Sequence, residues 1–326
     1  ICGFLNRRNK TTFTKDLSTI PLHAYHLDSY LTAQYIKEKT NVKTINANIK
    51  EVCVEDTNIS KLILDDGTEI FSDLFLDCTG SQKVLMSKLN NQWKSYSDYL
   101  PVNSAVTFSK PHDGKYEQVT KCEAMSSGWL WTIPKRDAFG MGYVYCDKYI
   151  SDEDAIKELG EDAEVTGKIK FESGRLERPW MGNCIALGLS SSFLEPLQAT
   201  SIHTLIVQLG VLSGRYLQET NNQSNINSYN RFVNNMVDDF MQYVNMHYSG
   251  SGLGTEFWKN STLTEQNKEL IEIAKIRALY RDDFNNSYYG SAGSQLWMYT
   301  MMGMGHLSEL EVDWVVQMKE HLETSL

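Results

Sequence analysis

The sequence predicts a mixed α/β fold, strand-rich up to about residue 217 and mainly helical from there to residue 326. Three observations carry this. Short runs of β-branched and apolar residues, bounded by turn residues, recur between residues 42 and 189. One strand stops at Asp77-Cys78-Thr79-Gly80 and another at Gly188. A strand that ends in a glycine turn is where open α/β sheets place ligands. Beyond residue 226, apolar residues recur at three- and four-residue intervals, the period of an amphipathic helix. Residues 1–217 and 218–326 are therefore expected as two regions.

Taken in order, Asp28 can cap a helix through Leu31, Tyr35 and Ile36. Val42–Ile49, Glu51–Glu55 and Lys61–Leu64 read as strands, with Asp66-Gly67 as a hairpin turn. Leu74-Phe75-Leu76 is a short buried strand. Residues 103–109 and 129–146 give further strands. Trp129, Trp131 and Ile133 alternate on one face, Pro134 to Asp137 turn the chain, and Phe139–Cys146 returns as an antiparallel partner. Residues 151–163 are acidic and read as surface, and Asn183–Leu189 as a buried strand. Ile202 to about Leu217 is apolar on nearly every side, which predicts a buried helix with His203 as a core residue. Ile226–His247 is a long amphipathic helix, and Leu263–Tyr280 and Leu310–Leu322 read as helices.

Composition removes several functions. The net charge is −10, from 41 acidic and 31 basic residues. This sets aside a non-specific nucleic-acid binder. No run of about 18 apolar residues occurs, so no membrane span is expected. The six cysteines show no Cys-x-x-Cys and no zinc spacing. They read as free buried thiols of a reducing, cytoplasmic compartment. The chain opens on Ile1 without a targeting pattern, which is read as a start within a longer protein. Gly250-Ser251-Gly252-Leu253-Gly254 has the composition of a phosphate loop, but a helix rather than a strand precedes it, against the dinucleotide fingerprint.

Three segments together carry the chemistry: residues 66–80, a hairpin and a strand ending in Asp77-x-x-Gly80; residues 128–134, Gly-Trp-Leu-Trp-Thr-Ile-Pro; and residues 182–203, whose Gly188 to Thr200 part holds the Phe193-Leu-Glu-Pro-Leu-Gln198 run. In this order they resemble the flavin-dependent tryptophan halogenases, whose signature is Trp-x-Trp-x-Ile-Pro. Ala24 to Asp28 and Leu74 to Gly80 also resemble that family, and so, with lower specificity, do Asn230-Arg231-Phe232, His247-Tyr248 and Glu256-Phe257-Trp258. The resemblance implies an FAD-dependent monooxygenase-like fold. It implies halogenation of an electron-rich aromatic such as tryptophan or indole, using reduced FAD, dioxygen and halide by way of hypohalous acid. A separate flavin reductase would supply the reduced FAD, and a homo-oligomer is allowed.

The same resemblance suggests roles residue by residue. Gly80, Gly188 and Ile202 would contact the flavin, although the two glycines also read as ordinary turn glycines. Thr200 and Ser201 start a helix, where free N–H groups favour an anion, and would hold the halide. A simple N-cap is the plainer reading. Trp129 and Trp131 would bar substrate from the flavin, which is compatible with plain core packing. Tyr288, Tyr289 and Trp297 are candidates for the substrate ring, with core packing between helices as the plainer reading.

Gln198 departs from the pattern. The family carries a catalytic glutamate there, and a neutral amide hydrogen-bonds but cannot act as a base. The family's Gly-x-Gly-x-x-Gly loop and catalytic lysine have no counterpart here, which fits a chain that starts mid-protein. Two rivals follow: a flavin-dependent monooxygenase or reductase on the same fold, and a non-catalytic remnant.

Overall fold

A computed structural model describes residues 26–116, 119–160, 164–279 and 294–307. They divide into two compact units that interleave along the chain. One takes residues up to 46, 103–170 and 255–257; the other takes 47–102, 171–254 and 258 onward.

The first unit is built on a five-stranded antiparallel sheet, in the order Val165–Lys170, Ser104–Pro111, Ala138–Tyr145, Gly128–Pro134, Lys121–Met125. The expected antiparallel return of the tryptophan strand is present, with Trp129 opposite Val144 and Trp131 opposite Gly142. Gly142 is required there: a Cβ would sit 2.1 Å from the Trp131 ring. Val106, Tyr143, Tyr145 and Ala155 form the core of this unit. The acidic stretch is a short helix, Asp152–Glu158, whose cap Ser151 accepts from Asp154 N. It closes over the sheet through Glu158, which takes the Tyr143 hydroxyl at 3.0 Å. The helix Ser29–Lys39 forms as expected, with Asp28 accepting from Leu31 N. His26 ties its approach to the sheet, with Nδ1 3.0 Å from the Pro134 carbonyl.

In the second unit, Ile49–Glu55 and Asn58–Leu64 pair antiparallel, and Gly67 turns the chain back at φ 84° into Glu69–Ile70. Residues 42–48, expected in a strand, lie outside it: pairing starts only at Ile49, opposite Leu64. Phe75–Asp77 pairs parallel with Cys184–Ala186, which pairs antiparallel with Trp180–Met181. A third sheet has the order Ser192–Phe193, Gly174–Leu176, Trp93–Ser95. The core around these strands includes Ile59, Phe75, Leu85, Met86, Leu89, Leu176 and Cys184.

The helix Gln223–Met246 buries Tyr229, Val233, Met236, Val237, Phe240 and Val244, and Asn222 caps it by accepting from Ser224 N and Asn225 N. Glu265–Leu279 and Ser294–Gly303 are helical as well. The expected helix at 310–322 lies outside the described residues, as do Cys2, Tyr288 and Tyr289.

Two further expectations are corrected. The helix Thr200–Val211 followed by a wider turn to Tyr216 is present, but it is not buried all round. Its inward side is polar, formed by Thr200, Thr204 and Gln208, while Ile202 and Ile206 are 65% and 63% exposed. His203 is exposed with them, its ring edge-on to Phe240 at 5.4 Å. Gln208 reaches in because Ser191 offers it a partner, Nε2 to Oγ at 3.0 Å. The cysteines are free, but only Cys146 and Cys184 of the described five are buried; Cys78 and Cys122 are exposed.

Candidate functional site

The second unit brings most of the flagged residues to one place. The parallel pair of strands sends two turns out of its carboxyl end. In the first, Asp77 is fully buried and its carboxylate takes five donors. These are Thr79 N (3.0 Å) and Thr79 Oγ1 (2.6 Å), Leu85 N (3.0 Å) and Met86 N (2.9 Å), and Ser190 Oγ (3.1 Å). Ser190 sits in the second turn and also lies 3.0 Å from the Gly80 carbonyl. Leu187 N donates to Asp77 O at 3.0 Å. One buried carboxylate thus clamps both turns, and Asp77 is a holder rather than a ligand contact.

The clamped turns present Gly80 and Gly188 at φ 71° and 61°, a conformation that glycine adopts without strain. Both are half-buried. A Cβ at Gly80 would meet nothing within 4 Å, and at Gly188 only Leu205 at 3.8 Å. The two turns are therefore open backbone shelves of the kind a flat cofactor ring can approach.

The chain then runs through Glu195-Pro196-Leu197-Gln198-Ala199 into the helix. Glu195 is fully buried and accepts the Tyr248 hydroxyl at 2.7 Å, which anchors the segment. Gln198 and Ala199 follow at φ 62° and 50°. Two successive non-glycine residues in the left-handed region cost about 1–2 kcal/mol each. Such strain clusters at functional sites.

Ala199 holds the N-cap position of the twelve-residue helix Thr200–Val211 and offers no side chain to it. The first N–H groups of a helix have no intrahelical partner, so an uncapped start attracts an anion. Thr200 is 3% exposed, and among the described residues its Oγ1 has no hydrogen-bond partner. A buried orphan hydroxyl at an uncapped helix start fits a halide, which would accept from both. Ser201 is half-buried beside it, and Ile202 is on the exposed side.

Gln198 is exposed and bonds to His247, Nε2 to Nε2 at 2.9 Å. His247 Nδ1 is 3.0 Å from the Tyr243 carbonyl. Burial pushes this imidazole down to about 4, outweighing the backbone hydrogen bonds that favour its protonation. Tyr243 packs edge-on to both His247 and Trp297, each at 5.2 Å. Trp297 is itself buried, 3% exposed, and is linked to position 198 through Tyr243 and His247. His247 was not singled out as a site residue from the sequence. The available signal was its place four residues after Tyr243, at the end of an amphipathic helix.

Trp129 and Trp131 belong to the other unit. Their rings lie on one sheet face with centroids 6.0 Å apart, Trp129 buried and Trp131 half-buried. The glycine run at 250–254 follows a helical turn; a Cβ at Gly250 would meet Met304 backbone at 2.9 Å, while Gly252 and Gly254 have open space around them. A cavity of about 390 Å³ lined by Thr57, Arg178, Trp180, Gln223, Asn227 and Asn230 holds none of the residues to which a catalytic, flavin, halide or substrate role was given. Both ends of the Asn230 amide there are taken by the Trp180 backbone. Among the described residues no group of acidic, histidine and cysteine side chains is placed to hold a metal ion, and no helix is long and apolar enough to cross a membrane.

Known proteins resemble this chain in sequence and in fold. The tryptophan halogenase family matches residues 4–320. A tryptophan 7-halogenase of Lentzea aerocolonigenes is 30% identical over 306 residues, covering 87% of this chain and 58% of that protein. A tryptophan 6-halogenase of Streptomyces toxytricini is 31% identical, covering 87% and 57%. The crystal structure of a tryptophan 6-halogenase from the same organism superposes with a TM-score of 0.80 at 26% identity, covering 91% of this chain and 65% of that one. A tryptophan C-6 flavin-dependent halogenase (chlorinase) from taromycin biosynthesis gives 0.83 at 27% identity, covering 95% and 68%. The chain thus spans somewhat over half the length of the relatives it matches in sequence. With the family matching nearly every residue, the chain belongs to the tryptophan halogenase family.

Proposed function

We propose that this chain is part of an enzyme that halogenates an electron-rich aromatic ring, tryptophan, indole or a related compound, using reduced FAD, dioxygen and halide. The observation that supports this best is the uncapped helix start at Thr200, with its buried orphan hydroxyl, in the same unit as two open glycine turns clamped by Asp77. FAD, when bound in its reduced form, supplies the activation of dioxygen.

The chain's own residues would act as follows. Gly80 and Gly188 let the ring system approach the backbone, and Ile202 lies against it. Thr200 and Ser201 hold the halide through the helix start. Trp129 and Trp131 keep the shielding role suggested by family membership. Trp297, Tyr288 and Tyr289 remain the proposed substrate-side aromatics, within a substrate-side region of residues 218–326. The partner is a flavin reductase, in the cytoplasm, and the enzyme acts alone or as a homo-oligomer.

A flavin-dependent monooxygenase is the second reading. It is favoured by Gln198, whose neutral amide cannot take up a proton as a base and is already engaged by His247.

Titration of the full-length protein with FAD, followed by flavin fluorescence, is expected to give micromolar or tighter binding. Bromide should then perturb the bound flavin's absorbance. Thr200→Val should weaken that bromide response about fivefold to tenfold, the worth of one hydrogen bond of about 1–1.5 kcal/mol. Failure to bind FAD at 100 micromolar would favour the remnant reading. An unchanged bromide response in Thr200→Val would remove the halide from this helix start.

A further inference from the structure

We infer that His247 is a positioning residue for position 198: it holds the Gln198 amide with its carbonyl oxygen turned away as a fixed acceptor, so that the site selects an aromatic ring carrying an N–H or O–H donor. This rests on the reading of the Gln198 turn as the reaction site.

The hydrogen-bond chain allows one assignment. The Tyr243 carbonyl, 3.0 Å from His247 Nδ1, can only accept, so Nδ1 carries the proton. In a neutral imidazole Nε2 is then a bare lone pair. The Gln198 group 2.9 Å from it must be the amide N–H, because two acceptors would repel. A planar amide that points its nitrogen at His247 points its oxygen elsewhere. No described residue donates to that oxygen, and Gln198 is exposed.

Both ends of the arrangement are held. The backbone of Gln198 and Ala199 is fixed in the left-handed region between buried Leu197 and buried Thr200. The imidazole is held edge-on to Tyr243 at 5.2 Å. The Tyr243 hydroxyl in turn accepts from Thr300 Oγ1 at 3.1 Å. Burial keeps the imidazole neutral well below pH 7. A neutral amide suits this partner. A carboxylate in its place would set lone pairs against a lone pair unless His247 took up a proton.

The test combines a tautomer measurement with ligand discrimination, both on the full-length protein. Long-range proton–nitrogen NMR of the histidine side chains should show His247 as the Nδ1–H tautomer at pH 7, unchanged to about pH 5. Its Nε2 signal should shift in Gln198→Met, and the ring should become protonated at pH 7 in Gln198→Glu. In equilibrium binding, indole should be preferred over 1-methylindole, which lacks the N–H, by about fivefold or more. That ratio should fall below about twofold in His247→Phe and in Gln198→Met. Gln198→Met, at an exposed position, carries this arm if His247→Phe fails to fold.

An Nε2–H tautomer, a protonated ring at pH 7 in the wild type, or an indole preference unchanged in the variants overturns the inference. An intact tautomer signature with neither ring bound overturns the ligand selection and, separately, removes the turn as the reaction site.

Discussion

Asp77→Asn is expected to lower stability by about 3–5 kcal/mol and to abolish high-affinity flavin binding. The wild-type carboxylate is fully buried, and every donor around it points inward. An asparagine keeps the shape but replaces one oxygen with an NH2 group. If that group faces Leu85 N and Met86 N, two buried donors lose their acceptor. If it faces the other way, the Thr79 and Ser190 donors do. Each buried group left unsatisfied costs about 1–3 kcal/mol, and the remaining bonds lose their charge assistance.

The functional effect should exceed the stability effect. Ser190 is held between Asp77 and the Gly80 carbonyl, so both glycine turns loosen together. Urea unfolding measures the first effect and FAD titration of the still-folded fraction the second. Asp73→Asn, four residues away and exposed, is the control and should stay within about 0.5 kcal/mol of wild type. A stability loss under about 1 kcal/mol for Asp77→Asn, with FAD affinity retained, would show that the clamp is not needed.

The second large effect is expected at Asp238. Arg175 grips its carboxylate with two parallel bonds, Nε to Oδ1 and Nη2 to Oδ2, each 3.0 Å. The Tyr96 hydroxyl bonds the same carboxylate, and Lys94 approaches to 3.4 Å. This cluster pins the helix Gln223–Met246, which carries His247 just beyond its end, to the sheet of Gly174–Leu176 and Trp93–Ser95. The Arg175 side chain is only 10% exposed. Asp238→Ala leaves its charge buried and is expected to cost about 3–5 kcal/mol. The double variant Arg175→Met with Asp238→Leu should recover at least half of that loss, because no buried charge remains.

The pH dependence has a definite sign. Burial raises the Asp238 carboxyl, but the Arg175 and Tyr96 bonds outweigh it and hold it below the usual range. A depressed folded-state value means that the unfolded chain binds the proton more readily. The contribution is therefore complete above the unfolded value, near pH 4, and is lost as pH falls through the folded value beneath it. Wild type should lose stability more steeply than the double variant in that acid range.

Much of this arrangement is legible in the sequence, for physical reasons that differ by element. Alternation exposes the Trp129–Trp131 strand and its return, because a two-residue period leaves a face pattern in a hairpin. Gly80 and Gly188 are legible because a strand ending in glycine signals a turn that other residues resist. The helix after Thr200 misleads, because apolarity on nearly every side suggests burial. The structure instead turns Thr200, Thr204 and Gln208 inward, where Ser191 offers Gln208 a polar partner, and leaves Ile202 and Ile206 outward. No local pattern announces the left-handed pair Gln198–Ala199, since neither is the glycine that such a conformation usually takes. The contact between Gln198 and His247 spans 49 residues and exists only once the long helix is docked. The role of Asp77 is similarly non-local, since Ser190 lies 113 residues away.

The most direct test of the account is the mass of the product. The full-length protein would be supplied with FAD, a flavin reductase with its reductant, dioxygen, bromide and either tryptophan or indole. The expected product has one ring hydrogen exchanged for bromine, recognisable by the paired isotope peaks, and it is lost when bromide is left out. A hydroxylated product, or reduced flavin consumed with the ring returned unchanged, would contradict it.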